Sequence, residues 1–364
     1  MRVPDIARLA GKVFFKTMQM PEYITFFVTG NCNCSCGHCF NVKNSINTAD
    51  ELSYDEIRQI SQNAGRFFFL NLTGGEPYLR SDLPEIVYIF AKNNGVQTIT
   101  TPTNGLLSDN IAASVEKILK KCRNIQFSVD IAIDGIKEEH DNIRGHEGVF
   151  SCALETFRML KEVKKRYKNL NLGVNITFSA ANQENIKKTY DYVFRVMQPD
   201  SITVILTRGY TRDKAFKAYN PDYYRDISNM EENDYSEGQE WGGDSGMFSK
   251  IYVPFNMLRR KIILKTLEDQ SRQVQCYAGK MSAVIQSNGD VFPCELLDMK
   301  IGNLRESGYS LKKLVFSEEA RTIRAHIRRT KCYCTHECNL LTNILFNPLK
   351  LTDMLCRTLG NELK

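Results

Sequence analysis

From residue 22 the chain alternates short apolar, β-branched runs with longer stretches in which apolar residues recur at helical spacing. That is the sequence form of repeated βα units around a parallel sheet. The predicted strands are YITFFVT, FFFLNLTG, TITTPTN, IQFSVDIAID, GVNITFSA and SITVILTRG. Six of them predict a barrel short of the usual eight. The helices predicted between them cover roughly Tyr54 to Ala64 after the start SYDE, Leu83 to Asn93, Asp109 to Lys121, Val149 to Tyr167 and Glu184 to Met197. A helix near Pro4 to Lys16, within an N-terminal segment 1–21, precedes the barrel segment 22–209. After Gly209 periodicity is lost in a stretch rich in Tyr, Asp, Asn and Gly, expected to be an insertion or lid. Its Trp241 and its tyrosines are placed either to meet a substrate or to anchor a linker. A helical segment, Met247 to Asp269, completes this 210–270 region. Residues 271–364 read as a smaller, Cys-rich second domain, whose tail LLTNILFNPLKLTDML has the helical spacing of a core-closing segment.

The 364 residues suffice for one large domain and a small companion. A formal charge of +6 is spread over 48 basic and 42 acidic residues without a single-sign block, which gives no support to a nucleic-acid partner. No apolar run reaches the length of a membrane span, and the N-terminus lacks a signal peptide's apolar core and cleavage site. The expected location is cytoplasmic. In a reducing compartment, 12 cysteines point to metal or redox chemistry rather than structural disulfides. Cys122 and Cys152, among apolar helical neighbours, read as small buried residues.

In VTGNCNCSCGHCF the spacing Cys32-x3-Cys36-x2-Cys39 follows the first strand, where a parallel barrel places its active site. Cys34 is spare. A zinc site would need a fourth ligand such as His38. A 4Fe-4S cluster normally takes four thiolates, so three from one loop leave one iron open to another ligand.

Together with LTGGEP at Leu72 to Pro77, TNG at Thr103 to Gly105 and IDGIKEEHDNIRG at Ile133 to Gly145, this pattern resembles the radical S-adenosylmethionine (radical SAM) enzymes. It is similar in particular to the branch that includes anaerobic sulfatase-maturating enzymes. The resemblance implies a partial (β/α)6 TIM-like barrel. Gly74 and Gly75 are expected to let backbone approach a ligand closely, and Glu76 offers a carboxylate for the SAM ammonium group. Arg144 is implied as the clamp on the SAM carboxylate. Where related enzymes carry a serine two residues before Asp-Gly, this chain has Ala132, which removes a hydrogen bond to SAM. Ser128, Asp130 and Asp134 share its face of the strand, and Asp134 is the expected substitute. Thr177 and Ser179 of the fifth strand are expected to line the same pocket.

The C-terminal segment CYAGKMSAVIQSNGDVFPCELLDMKIGNL sets Cys276 and Cys294 on either side of a predicted hairpin, and KCYCTHECN adds Cys332, Cys334 and Cys338. This resembles the SPASM and twitch domains that hold auxiliary 4Fe-4S clusters. One auxiliary cluster is expected, from Cys276, Cys294 and two of Cys332, Cys334 and Cys338, with Cys356 unassigned and a zinc ribbon as the structural alternative. Glu295, beside Cys294, is either a general base of raised pKa or a surface residue of the hairpin.

The expected activity is that of a radical SAM oxidoreductase. SAM is cleaved reductively to a 5′-deoxyadenosyl radical, which takes hydrogen from a substrate C–H bond, and the auxiliary cluster accepts the electron. Expected partners are a peptide or small-molecule substrate and an electron donor such as flavodoxin or ferredoxin. The alternatives are an epimerase, a C–S bond-forming enzyme or a non-catalytic iron-sulfur electron carrier.

Overall fold

The computed structural model describes residues 20–41, 50–236 and 247–352. The helix expected near Pro4 to Lys16, Trp241 and Cys356 lie outside the described residues. Six parallel strands form the body: β1 (Tyr23–Thr29), β2 (Phe69–Gly74), β3 (Thr98–Thr103), β4 (Gln126–Ala132), β5 (Leu170–Phe178) and β6 (Ser201–Leu206). The crossovers carry α1 (Tyr54–Asn63), α2 (Leu83–Asn93), α3 (Ser108–Lys121), α4 (Glu138–Arg144), α5 (Val149–Arg166) and α6 (Ile186–Asp191), the last continuing into a π-helical turn, Tyr192–Met197. This is the partial barrel that the alternation predicts. The strand residues facing the helices, such as Ile24, Phe26, Leu70, Ile99, Phe127 and Ile176, are almost wholly buried in one apolar core.

The elements end where their residues require it. Ser53 caps α1 reciprocally with Glu56: Glu56 N donates to Ser53 Oγ over 3.3 Å and Ser53 N to Glu56 Oε2 over 2.8 Å. α4 closes on Gly145, whose φ of 61° suits glycine at a helix C-terminus.

The region after Gly209 departs from the expectation of an aperiodic insertion. It contains a 16-residue helix, α7 (Pro221–Ser236), packed on α8 (Met247–Asp269). Proline opens α7 and buried Tyr224 and Ile227 anchor it, so its spaced apolar contacts outweigh the polar composition.

The C-terminal residues do not form a separate layer. β7 (Ser282–Ile285) pairs in parallel with β1, and β8 (Asp290–Phe292) and β9 (Gly302–Asn303) follow antiparallel, giving one nine-stranded sheet of order β6-β5-β4-β3-β2-β1-β7-β8-β9. The predicted hairpin is β7–β8. Helices α9 (Leu311–Val315), α10 (Glu318–Arg329) and α11 (Glu337–Leu345) complete the unit.

A second tie joins the two parts at the surface. Arg305 donates to Glu56 from Nε over 2.6 Å and from Nη2 over 3.1 Å, and Tyr309 adds its hydroxyl at 3.1 Å. The Arg305 hydrogen bond holds the Glu56 carboxyl at about 2, below its ordinary 4.5. Arg305→Ala should therefore cost about 1 kcal/mol at neutral pH. Because the folded-state pKa is depressed, the difference should persist above pH 4.5 and vanish as pH falls towards 2. Paired thermal melts across that range check it.

Candidate active site and cysteine clusters

An irregularity in pairing between Phe27 and Thr29 ends β1 and turns the chain into the cysteine loop. The loop is pinned on three sides. Gly75 N donates to Thr29 O over 2.9 Å and Glu76 N to Asn31 O over 2.7 Å. Ser35 N and Gly37 N donate to the carbonyls of Arg144 and Ile143, and Arg212 N and Asp213 N to those of Cys39 and Gly37. The glycine pair is required by this contact: a Cβ on Gly74 would lie 2.1 Å from Thr29 O, and one on Gly75 1.8 Å from Asn31 O. Their small size serves the loop's own backbone, where the sequence reading had them accommodating a ligand.

Glu76 is likewise turned into the fold. Its Oε1 accepts from Tyr78 N (3.2 Å) and Thr103 Oγ1 (2.9 Å), and its Oε2 from Asn104 N (2.8 Å). Burial pushes the carboxyl up to about 7, with the three donors opposing the rise. The carboxylate expected to meet an ammonium group thus joins β2 to the TNG turn after β3.

Asp134 and Arg144 form a buried pair, Oδ2 to Nη2, at 2.7 Å. Burial alone would raise the Asp134 pKa, but Arg144, the two histidines His38 and His140 and the Thr177 N–H together outweigh it and hold the carboxyl below its usual range. Asp134 Oδ1 also accepts from Thr177 N over 2.6 Å, and His140 Nδ1 accepts from Asp134 N over 2.9 Å. The direct partner of Asp134 in this structure is Arg144. Arg144 Nη1 lies 3.8 Å from Cys36 Sγ, while its Nε is buried and donates to nothing. Ala132 faces the sheet's concave side opposite Asn175. Thr177 is half-buried on that side, but Ser179 does not line it: fully buried, its hydroxyl lies 3.3 Å from Asn182 Oδ1 and accepts from Ala181 N. It closes a turn.

Cys34 and Cys36 are buried, Cys39 half-buried and Cys32 exposed. His38 turns towards Asp134, with Nε2 3.8 Å from Oδ2, and burial lowers its pKa to about 4. Tetrahedral zinc, with Zn–S of about 2.3 Å, needs thiolates within about 4 Å of one another. Among the described residues the one group of three ligating atoms all within 4.8 Å of one another is Glu295, His336 and Cys338.

In the C-terminal unit Cys276 and Cys332 lie close enough to interact, which lowers the Cys332 thiol below its ordinary value. Burial pushes Cys334 up to about 12, with the charges of Cys294 and Cys332 adding to the rise. Cys276, Cys332 and Cys334 line one small cavity. The structure therefore groups Cys276, Cys294, Cys332 and Cys334 and sets Cys338 apart.

Cys338 stands with Tyr23, Glu295 and His336. His336 Nδ1 accepts from Cys338 N over 3.1 Å, so Nε2 carries the proton and donates to Glu295 Oε2 over 2.6 Å. Arg208 donates to the same Oε2 over 3.3 Å and covers the Phe40 ring, 4.9 Å from its centroid. Burial alone would raise the Glu295 pKa, but His336 and Arg208 outweigh it and hold the carboxyl at about 2. Glu295 is therefore not a surface residue of the hairpin but a buried carboxylate paired with His336 and Arg208. Sequence reasoning missed Arg208, although its place just after β6, at the mouth of a parallel barrel, was a signal.

Residues 26–196 match the family described as the Radical SAM superfamily, and residues 276–339 match SPASM, described as an iron-sulfur cluster-binding domain. The chain is 26% identical over 306 residues to the AdoMet-dependent heme synthase of Methanosarcina barkeri, covering 79% of this chain and 81% of that protein. It is 24% identical over 338 residues to the antilisterial bacteriocin subtilosin biosynthesis protein AlbA of Bacillus subtilis, covering 86% of this chain and 66% of that one. The solved structure of native anSMEcpe with bound AdoMet superposes with a TM-score of 0.61 at 18% identity, covering 94% of this chain and 100% of that one.

The bracing role of Glu76 is testable without any cofactor. Glu76→Gln turns an amide NH2 towards groups that themselves donate, and should cost about 1–3 kcal/mol in the cofactor-free protein. Denaturant melts measured without S-adenosylmethionine check this; an unchanged midpoint would leave the three hydrogen bonds without energetic weight.

Proposed function

Because the chain belongs to the radical SAM superfamily and carries a SPASM iron-sulfur unit, we propose that it is an oxidoreductase that removes hydrogen from a substrate C–H bond. The substrate is a peptide or a small molecule, the classes named for its relatives. When bound, S-adenosylmethionine and the two clusters supply a 5′-deoxyadenosyl radical for hydrogen abstraction and an acceptor for the electron that a substrate radical releases. Cys32, Cys36 and Cys39 would hold the first cluster, and Cys276, Cys294, Cys332 and Cys334 the second. The observation that carries the reading is this division of thiols: four in a loop at the barrel mouth, three of them at the spacing of Cys32, Cys36 and Cys39, and five in the neighbouring unit, with Cys338 set apart from the other four.

The chain's own residues have defined tasks. Gly74, Gly75 and Glu76 set the shape of the cysteine loop, and Arg144, whose buried Nε has no partner, would receive the carboxylate of S-adenosylmethionine. Asp134 orients Arg144 and Thr177 contributes to the wall of the same pocket. Arg208 links the Phe40 side of the loop to Glu295 of the SPASM unit, a positioning role between the two cysteine sites. A reducing cytoplasm with flavodoxin or ferredoxin as electron donor suits this chemistry. Among the described residues no helix is long and apolar enough to cross a membrane.

Anaerobic reconstitution should yield about eight irons per chain, and replacing Cys32, Cys36 and Cys39 together by alanine about four. Each of these three replacements should abolish 5′-deoxyadenosine formation, whereas Cys34→Ala should retain it. Cys334→Ala should lose iron from the second site while Cys338→Ala keeps it. Iron equally lost from Cys338→Ala would contradict the grouping, and full iron with no SAM cleavage would favour an electron carrier.

A further inference from the structure

The sheet has a second, polar face turned away from the helices. Strand register lines up Thr25, Asn71, Thr100, Ser128 and Asn171 in one row across it. The row nearer the mouth holds Pro102, Asp130, Gly173 and Ser201. Asp130 lies across Gly173: a Cβ there would be 2.2 Å from Asp130 Oδ1 and 2.9 Å from Ser201 Oγ. Glycine leaves the room that the carboxylate fills.

Asp130 has neither the counter-charge of the buried ion pairs nor the three donors that meet Glu76. Asp134 has Arg144, Glu295 has Arg208 and Glu231 has Arg260. Among the described residues no Lys, Arg or His nitrogen lies within ion-pair distance of Asp130, and its one hydrogen-bond partner is the Ser128 hydroxyl. The titratable groups that sense its charge are Tyr23 of β1 and Tyr78 of the turn after β2, neutral phenols that burial raises further. Its strand neighbours Pro102 and Gly173 carry no titratable side chain. Burial pushes the Asp130 carboxyl up to about 6, and the Ser128 bond opposes this only in part. In the row beneath, Asn71 Oδ1 is shielded from solvent and accepts from nothing. A carboxylate met by a single hydroxyl, on the concave face of a barrel and with an unfilled acceptor in the row beneath, matches a donor-rich cationic group.

We propose that Asp130 is a specificity subsite that receives a protonated amine of the substrate. The inference rests on the radical SAM reading, in which this face lies under the reacting centre. The amine belongs either to a peptide, as a lysine side chain or amino terminus, or to an amino-substituted small molecule.

Asp130→Asn separates this from a structural role. A carboxylate serving the fold would be missed, whereas one awaiting a cation destabilises the free protein. The raised folded-state pKa means that wild-type stability falls as pH rises from 3.8 to about 6. The Asn variant should therefore melt higher at pH 8, and its advantage should close as pH falls through that window. With n-butylammonium chloride as probe and n-butanol as control, the wild-type melting temperature should rise selectively with the amine. The variant should bind it at least about tenfold more weakly. Nα-acetyl-lysine amide and glucosamine then distinguish a peptide from an amino sugar; a selective response to either, lost in the variant, supports the subsite. Equal amine responses in both proteins, or a variant less stable at pH 8, would overturn it. Iron content and substrate-free 5′-deoxyadenosine formation should match in the two proteins. If neither protein cleaves SAM, the radical SAM reading fails separately from the subsite.

Discussion

The site depends on one close approach of backbone to backbone: the Gly74–Gly75 strand end laid against Thr29, Asn31 and Cys32. Parallel pairing of β1 and β2 delivers the two segments side by side, and the absence of side chains lets the hydrogen bonds from Gly75 and Glu76 form. Glu76 extends the connection to β3 and the Arg144 end of α4 closes it from β4. The cysteine loop thus has little structure of its own and takes its shape from three strand ends.

Charge is distributed by the same economy. Where a buried acid fixes geometry, a cation or a set of N–H and O–H donors meets it, as with Asp134, Glu295 and Glu76. For Asp134 and Glu295 the partners also lower the carboxyl pKa, whereas the donors around Glu76 only oppose the rise that burial brings. A group that must respond to a ligand is left unpaired, at a cost to the empty protein.

Much of this was legible in the sequence because local signals carry it. β1 spans the predicted YITFFVT, and α2 its predicted Leu83–Asn93, since alternation and helical spacing are properties of short windows. The spacing of Cys32, Cys36 and Cys39 was equally local. What escaped depends on distant partners. Glu295 owes its low pKa to Arg208 and His336, 87 and 41 residues away. Ser179 looked like a pocket residue by alternation until Asn182, three residues on, drew it into a turn. Helix α7 was hidden by polar residues that its exposed faces tolerate.

The parallel pairing of β7 with β1 bears on how the chain acquires its shape. Tyr23 meets Ser282, so the first strand of the barrel waits for a partner some 260 residues downstream, and a ribosome must release most of the chain before that edge is covered. Until then β1 offers an open ladder of N–H and C=O groups, the template on which strands of other chains add. The C-terminal unit is thus also the barrel's edge guard, and the barrel released without it would be prone to aggregate through the very strand that leads into its cysteine loop.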